Sequence, residues 1–329
     1  MTLPPQSLPA QRGVALLIAL VIMAIAATIS TGMIWNRELD LRRTSNIIQG
    51  DQAMEYALGA EAWAEQILRR DSQTSPGITN LTQDWAMQLP PLPVQGGSII
   101  GHMEDLQGLF NINNLASSNP AQAIAALAQF QRLLTALNLD PEIANAVSDW
   151  VNGGDQPHYP GGAKDQYYSR LQPPYLTAEQ PMTSISELLL VKGVTPQVYA
   201  TLLLYVCALP LQFPGSAPGS AMTATTININ TAPAPVIMSL NTGISADVAG
   251  AAVQTRAQQP FQSVAQLSQL LGGIQVAQGI TAPSPPNSSY FRLIVQVKIG
   301  STQITLYSLL YRNPNDGVTV TIRRTFGTL

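Results

Sequence analysis

Residues 11–40 read QRGVALLIALVIMAIAATISTGMIWNRELD, and the kind of membrane segment they form decides the reading of the whole chain. Val14 to Trp35 is 22 residues without a charge. As a helix rising ~1.5 Å per residue it spans about 33 Å, enough for the hydrocarbon core of a bilayer. A secretory signal has a shorter apolar run and a small-residue cleavage site after it. This run is too long for one, and it does not stop cleanly. No proline occurs between Gly13 and Ser75, and Met54, Ala57, Leu58, Ala64, Ile67 and Leu68 recur at three- and four-residue steps, one apolar stripe on a helix. The pattern predicts a single helix of about 60 residues, in lipid over 14–35 and amphipathic from there to about residue 70. Thr74-Ser75-Pro76-Gly77 ends it, because proline and glycine break helices.

The chain has 329 residues, room for an anchor and one or two domains. Charged residues make up 11%, and the formal net charge of −3 leaves no strongly basic region. That excludes a nucleic-acid footprint, which needs a basic face. The single cysteine, Cys207, rules out an internal disulfide. His102 and His158 lie far apart, which argues against His-rich metal catalysis.

After the long helix, 77–95 reads as a proline-containing connection with a short helical turn near DWAMQL (84–89), and SIIGHMEDLQGLFNIN (98–113) as a strand ending in a turn. AQAIAALAQFQRLLTALNL is an amphipathic helix opened by Ser118-Asn119-Pro120, and DPEIANAVSDWV a second one. SISELLLVKGVTPQVYATLLLYVCAL predicts two helices around Lys192-Gly193, and PGSAPGS (214–220) a linker. The next segment repeats the block in shorter form. FNINNLASSNP (110–120) matches ININTAPAP (227–235), and MTSISELLLVKGV is echoed by FQSVAQLSQLLGGI (261–274). Asparagine accepts from free amides at a helix start, so capping is the first purpose of each Asn-Ile-Asn. Three alternating runs after Tyr290, separated by Gly300-Ser301 and by 313–317, predict an antiparallel meander, which would bury the stripe of the long helix. Cys207 follows an apolar run and reads as a small buried hydrophobe, His158 as a solvated loop residue, and Tyr167, Tyr168 and Tyr175 as braces of a loop. Of Arg323 and Arg324, on an alternating strand, at least one should face water.

A short polar leader ends in Arg12-Gly13, and the apolar run begins on the next residue. One reading is a plain signal anchor. The other is the class III signal of type IV pilins and pseudopilins, which this stretch resembles. There a prepilin peptidase cuts after the glycine on the cytoplasmic face and methylates the new amino terminus. The resemblance implies a cut after Gly13 and an N-methylated Val14, with Arg12 on the inside. Major pilins carry glutamate at the fifth mature residue, and here that residue is Ile18. A lone carboxylate in lipid is costly and marks a task.

GVALLIALVIMAIAATI, QAMEYALGAEAWAEQILRRD, LFNINNL, SDWVNGGDQPHYPGGAKDQYYSRLQPPY, SISELLLVKGVTPQVYATLLLYVCALP, ININTAP and the β tail, in this order, resemble the K-type minor pseudopilin of type II secretion (general secretion pathway protein K) over nearly the whole chain. The resemblance implies an α+β pilin-like fold: a long transmembrane helix packed on an antiparallel sheet, with a large inserted helical domain containing helix-hairpin-helix-like repeats. The expected parts are a cleaved leader at 1–13, a transmembrane helix at 14–35, a pilin-like domain at 71–113 and 214–329, and an inserted α-domain at 114–213. It also implies a non-enzymatic inner-membrane protein with its C-terminal domain in the periplasm. Such a protein caps the pseudopilus tip with I- and J-type minor pseudopilins and helps initiate assembly. Its other partners would be the major pseudopilin, the prepilin peptidase and the inner-membrane assembly platform, with no nucleic acid.

Members of this family can bind calcium in the α-domain, near a D-W-[IV]-D-x-D loop followed by G-A-E-D-x-x-Y. Here the first part runs Asp149-Trp150-Val151-Asn152-Gly153-Gly154-Asp155 and the second Gly162-Ala163-Lys164-Asp165-Gln166-Tyr167-Tyr168. Asp149, Asn152, Asp155 and Asp165 could supply side-chain oxygens to a calcium ion. Asn152 gives up a charge, Gly154 gives up a side chain, and Lys164 brings a cation close. A polar loop held by its own hydrogen bonds remains the other reading.

Three other functions compete. A membrane-anchored periplasmic hydrolase has no support from H-E-x-x-H or G-x-S-x-G, neither of which is present. DNA binding through LLLVKGVTPQVYATLL lacks phosphate-matching charge, since no basic residue follows Lys192 until Arg256. A minor pilin of a type IV pilus shares every N-terminal feature. The processing expectation has a direct check. Mass spectrometry of the mature protein should find N-methyl-valine from Val14, and Gly13→Val should abolish processing. An intact Met1 on the membrane-bound protein would rule the cleavage out.

Overall fold

α1 (Arg12–Thr74) is one unbroken helix of 63 residues, and the two halves of its sequence give it two environments. The computed structural model describes residues 12–217, 219–276 and 286–327. Of the leader expected at 1–13, all but Arg12 and Gly13 lies outside them. Every residue from Val14 to Ile47 is exposed, and this half is long and apolar enough to cross a membrane. The other half packs on a sheet.

That sheet has five strands in the order β1-β2-β5-β6-β7, all antiparallel. β1 (Leu92–Val94) and β2 (Gly97–Asp105) precede the helical unit. β5 (Tyr290–Ile299), β6 (Thr302–Arg312) and β7 (Thr319–Phe326) follow it. The meander is thus three strands of a larger sheet. Alternate residues of β5, from Phe291 to Ile299, face α1 and form its core with Trp85, Leu306 and Leu310. From α1 that core takes Ala53, Ala57, Ala64 and Leu68. Met54, Leu58 and Ile67, expected in the stripe, are only half-buried. Small alanines let the helix lie close to the strands, and the seam passes through a carboxylate, Glu61.

Glu61 is 4% exposed. Arg324 on β7 grips it with Nε at 3.0 Å and Nη2 at 2.6 Å, and the Ser308 hydroxyl donates to it from β6. Arg324 is itself exposed, while Arg323 donates to the carbonyl of Thr183 in the helical unit. Burial alone would push the Glu61 carboxyl up, but the hydrogen bonds from Arg324, Ser308 and Thr321 outweigh it and hold the group below the usual carboxylate range.

Between β2 and β5, which are neighbours paired at Asp105–Phe291, the chain leaves the sheet and returns to it. In order come β3 (Phe110–Asn111), α2 (Pro120–Ala136), α3 (Ile143–Val151), α4 (Asp165–Tyr168), α5 (Pro196–Leu202), β4 (Val206–Cys207), α6 (Ala234–Ser239), α7 (Ala246–Gln258) and α8 (Val264–Leu270). Residues from Phe110 to Leu271 share one hydrophobic core. The boundary expected at 213 therefore moves: Ile229, Val236, Ile237, Ala249 and Leu267 are buried in the helical unit's core, and the pilin-like body resumes only near 286. The first of the two helices expected at 184–209 is a 3₁₀ turn over Ile185–Leu190, and the second ends early and runs into β4.

The repeat seen in sequence is structural. Asn111 accepts from the amide of Asn113, and Asn228 from that of Asn230, at 3.1 and 2.9 Å. The second asparagine of each motif does more than cap. Asn113 pairs with both main-chain groups of Met182, and Asn230 with both of Phe261. Each thereby ties the head of its repeat to a residue three positions before a short helical segment, the 3₁₀ turn at Ile185 or α8 at Val264.

The two bodies meet at a buried polar junction. Asp105 accepts from the Gln107 amide at 2.8 Å, Asn228 Nδ2 at 3.0 Å, Thr231 Oγ1 at 2.6 Å and Ser288 Oγ at 2.6 Å. Burial pushes its carboxyl up against the pull of those donors. Arg312 on β6 donates to Thr79 Oγ1 at 2.6 Å and to the Ser288 carbonyl at 2.8 Å. A small cluster of Leu106, Cys207, Leu209, Tyr290, Leu309 and Tyr311 packs nearby. Cys207 is the buried hydrophobe expected, its thiol pushed up by burial.

The Glu61 seam predicts a pH effect. Its folded carboxyl titrates below the unfolded one. Its contribution is therefore complete above the unfolded value and is lost as pH falls through the folded one. Glu61→Gln should cost about 2 kcal/mol at pH 7 and flatten the fall in stability below pH ~5 seen in denaturant titrations of the parent.

Candidate functional site

Two stretches carry the functional expectations, and the structure places them at opposite ends of the molecule. The first is the start of α1. Val14 and Ile18 lie one helical turn apart on the exposed apolar half, 58% and 54% accessible. From Val14 to Trp35 no carboxylate interrupts that surface.

The second is the loop after α3. Asp149, on the last turn of α3, is fully buried. Its carboxylate accepts from the amides of His158 at 3.0 Å and Ala163 at 2.9 Å, and its Oδ1 meets the His158 ring. His158 is thus half-exposed rather than simply solvated, with one ring nitrogen on Asp149. Asn152 turns its Nδ2 inward to the carbonyls of Leu115 and Ser148, both at 3.0 Å. Asp165 accepts from the amide and hydroxyl of Thr177 at 2.8 and 2.6 Å, and these bonds hold its carboxyl below the usual range. Asp155 is exposed. The four expected donors are therefore not brought to one point. Among the described residues, no group of three or more His, Cys, Asp or Glu is placed to hold a metal. Calcium needs six to eight oxygens, and this donor set does not fit it.

The side chain at the centre of the loop is Lys164, expected only to bring a cation close. It is 6% exposed, and its ammonium donates to the main-chain carbonyls of Asp149, at 2.8 Å, and Asn152. Around it the aromatic residues brace the loop as expected. Tyr168 is edge-on to Trp150 and stacked on Tyr175, and its hydroxyl accepts from the Lys192 amide. The Lys192 ammonium lies over Tyr167 and donates to the Gly162 carbonyl at 3.4 Å. The basic residue of the hairpin motif is thus engaged within the fold.

Residues 108–211 and 227–285 each match a family described as "Type II secretion system (T2SS), protein K". Type II secretion system protein K of Aeromonas hydrophila is 32% identical, over 96% of this chain and 97% of its own. That of Pectobacterium carotovorum subsp. carotovorum is 34% identical over 92% of each. This chain belongs to the type II secretion system protein K family. It is a minor pseudopilin of the secretion machinery. The fold agrees: a chain in the crystal structure of the GspK-GspI-GspJ complex from enterotoxigenic Escherichia coli superposes with a TM-score of 0.71. That match is 22% identical and covers 87% of this chain and all of the other. Both family matches begin close to or inside the helical unit, the second on a stretch expected in the pilin-like body.

The loop geometry predicts which glycine cannot change. A Cβ on Gly162 would lie 2.2 Å from Asp149 Oδ2 and 2.3 Å from the His158 carbonyl, whereas one on Gly153 would meet nothing within 4 Å. Gly162→Ala should destabilise the protein by about 1–3 kcal/mol in chemical denaturation, and Gly153→Ala should leave it unchanged to within about 0.5 kcal/mol.

Proposed function

We propose that this minor pseudopilin closes the membrane-distal end of the periplasmic pseudopilus. In this reading it stands there as a single copy with I- and J-type partners and helps to start fibre assembly. The observation that carries this is where the helical unit departs from the pilin-like body. The Gly300–Ser301 turn of the sheet lies beside Gln49, towards the membrane half of α1. The opposite turn at Gly317 lies against Ser72 near the end of α1. The unit leaves and re-enters at Asp105 and Tyr290, on that far end. More than 160 residues thus join the pilin-like body at the end away from the membrane half of α1, where a subunit stacking from above would have to pack.

Ile18 supports the same reading. When a glutamate at this position pairs with the amino terminus of the subunit above, the pair offsets part of the cost of two charges in lipid. A topmost subunit has no such neighbour, and its glutamate would be an unpaired charge. Isoleucine avoids that cost. The amine of Val14, freed and methylated by the prepilin peptidase after cleavage at Gly13, stays available to the major pseudopilin below. The exposed apolar half of α1 would hold the chain in the inner membrane, delivered to the assembly platform, with both folded bodies in the periplasm. No step in this role requires catalysis. The structural relative stands in a complex of GspK with GspI and GspJ, and we extend I- and J-type partners to this chain.

Immunogold labelling of overproduced fibres tests the proposal. Label at one end of each fibre is expected, and label along the shaft would overturn it. A mutant lacking the protein should lose secretion while keeping type IV pili. The reverse would make it a minor pilin.

A further inference from the structure

α3 ends at Val151, and its last carbonyls have no partner within the helix. They also lie at the negative end of the helix dipole. Two carbonyls at this end, those of Asp149 and Asn152, converge on the ammonium of Lys164, which returns to them from the far side of the loop. The neighbouring residue, Ala163, delivers its amide to the carboxylate of Asp149. One short stretch, Gly162 to Lys164, therefore answers both the charge of Asp149 and the free end of its helix.

The inward-facing oxygens that a divalent ion would seek are committed elsewhere. The Asp149 carboxylate is held by His158 and Ala163, Asp165 by Thr177, and the two carbonyls by Lys164. Asn152 presents its amide nitrogen inward, and Asp155 stands in solvent. An ion entering among the carbonyls would have to displace a buried positive charge or sit beside it, and like charges at such a separation repel strongly.

We infer that Lys164 is a built-in cation that does for this loop what a bound divalent ion would otherwise do. It ties the Asp149–Asp165 loop to the end of α3 and makes the order of the loop independent of calcium. The positive charge is supplied by the chain itself and cannot be removed by chelation.

Thermal melting of the full-length protein in detergent micelles tests this. The parent should melt at the same temperature with excess chelator and with millimolar calcium. Lys164→Met, which keeps the stem and removes the charge, should melt at least about 3 °C lower in both. Lys164→Glu, which puts a negative charge against the same carbonyls, should melt lower still in both. The inference is overturned if chelator lowers the melting temperature of the parent, or if Lys164→Met or Lys164→Glu melts with the parent. Calorimetric titration of the parent with calcium should show no saturable binding, and micromolar affinity would equally overturn it.

Discussion

Asp105 lies where the sheet gives way to the helical unit, buried from solvent, and its carboxylate is answered by donors from different parts of the chain. Gln107 lies two residues on, Asn228 and Thr231 come from the second repeat, and Ser288 from the segment that re-enters the sheet. Asn228 also donates to the carbonyl of Thr79, just beyond α1. Leaving any one of these groups unpaired in a buried site costs more than the bond itself contributes. The network is therefore satisfied as a whole or not at all, and the placement of the helical unit on the end of the long helix follows from it.

The repeats extend the same logic into the unit. Asn113 and Asn230 hold Met182 and Phe261 by both main-chain groups, as a neighbouring strand would. These asparagines replace sheet pairing in a region whose helices are too short to be stable alone. α2 is the exception at 17 residues. α6 packs across it, with Gln129 and Arg132 of α2 reaching Ser239. A body organised by buried amides in this way has defined faces, which suits a part that must present fixed surfaces to other subunits.

The long helix is legible in the sequence because nothing in it could stop it: proline is absent up to Ser75 and the apolar run is continuous. The last three strands are legible through strict alternation. β1 is not, because Leu92-Pro93-Val94 is too short for any pattern. The second half of the helical unit escapes a sequence reading because α6 and α8 are six and seven residues long, too short to show a period, and α6 is buried against α2, whose Gln129 lies 110 residues before Ser239. The α1 seam misleads for a different reason. Larger residues such as Met54 and Leu58 give the stripe, but the buried line follows the alanines and Glu61, whose partner Arg324 lies 263 residues on. In the loop, the donor residues can be read and their directions cannot. That Lys164 reaches back across 12 residues to the carbonyl of Asn152 is fixed by the fold of the loop alone.

The central claim is that the Asp105 network joins the pilin-like body and the helical unit into one cooperative structure. Native-state hydrogen exchange measures this most directly. The amides of Phe110 and Asn228 are bonded within or into the helical unit, and those of Val295 and Leu306 lie in the sheet. Cooperative joining predicts a single opening free energy for both sets, with the same dependence on denaturant. Exchange of the helical unit at lower denaturant, while the sheet stays protected, would show a hinged appendage and contradict the account.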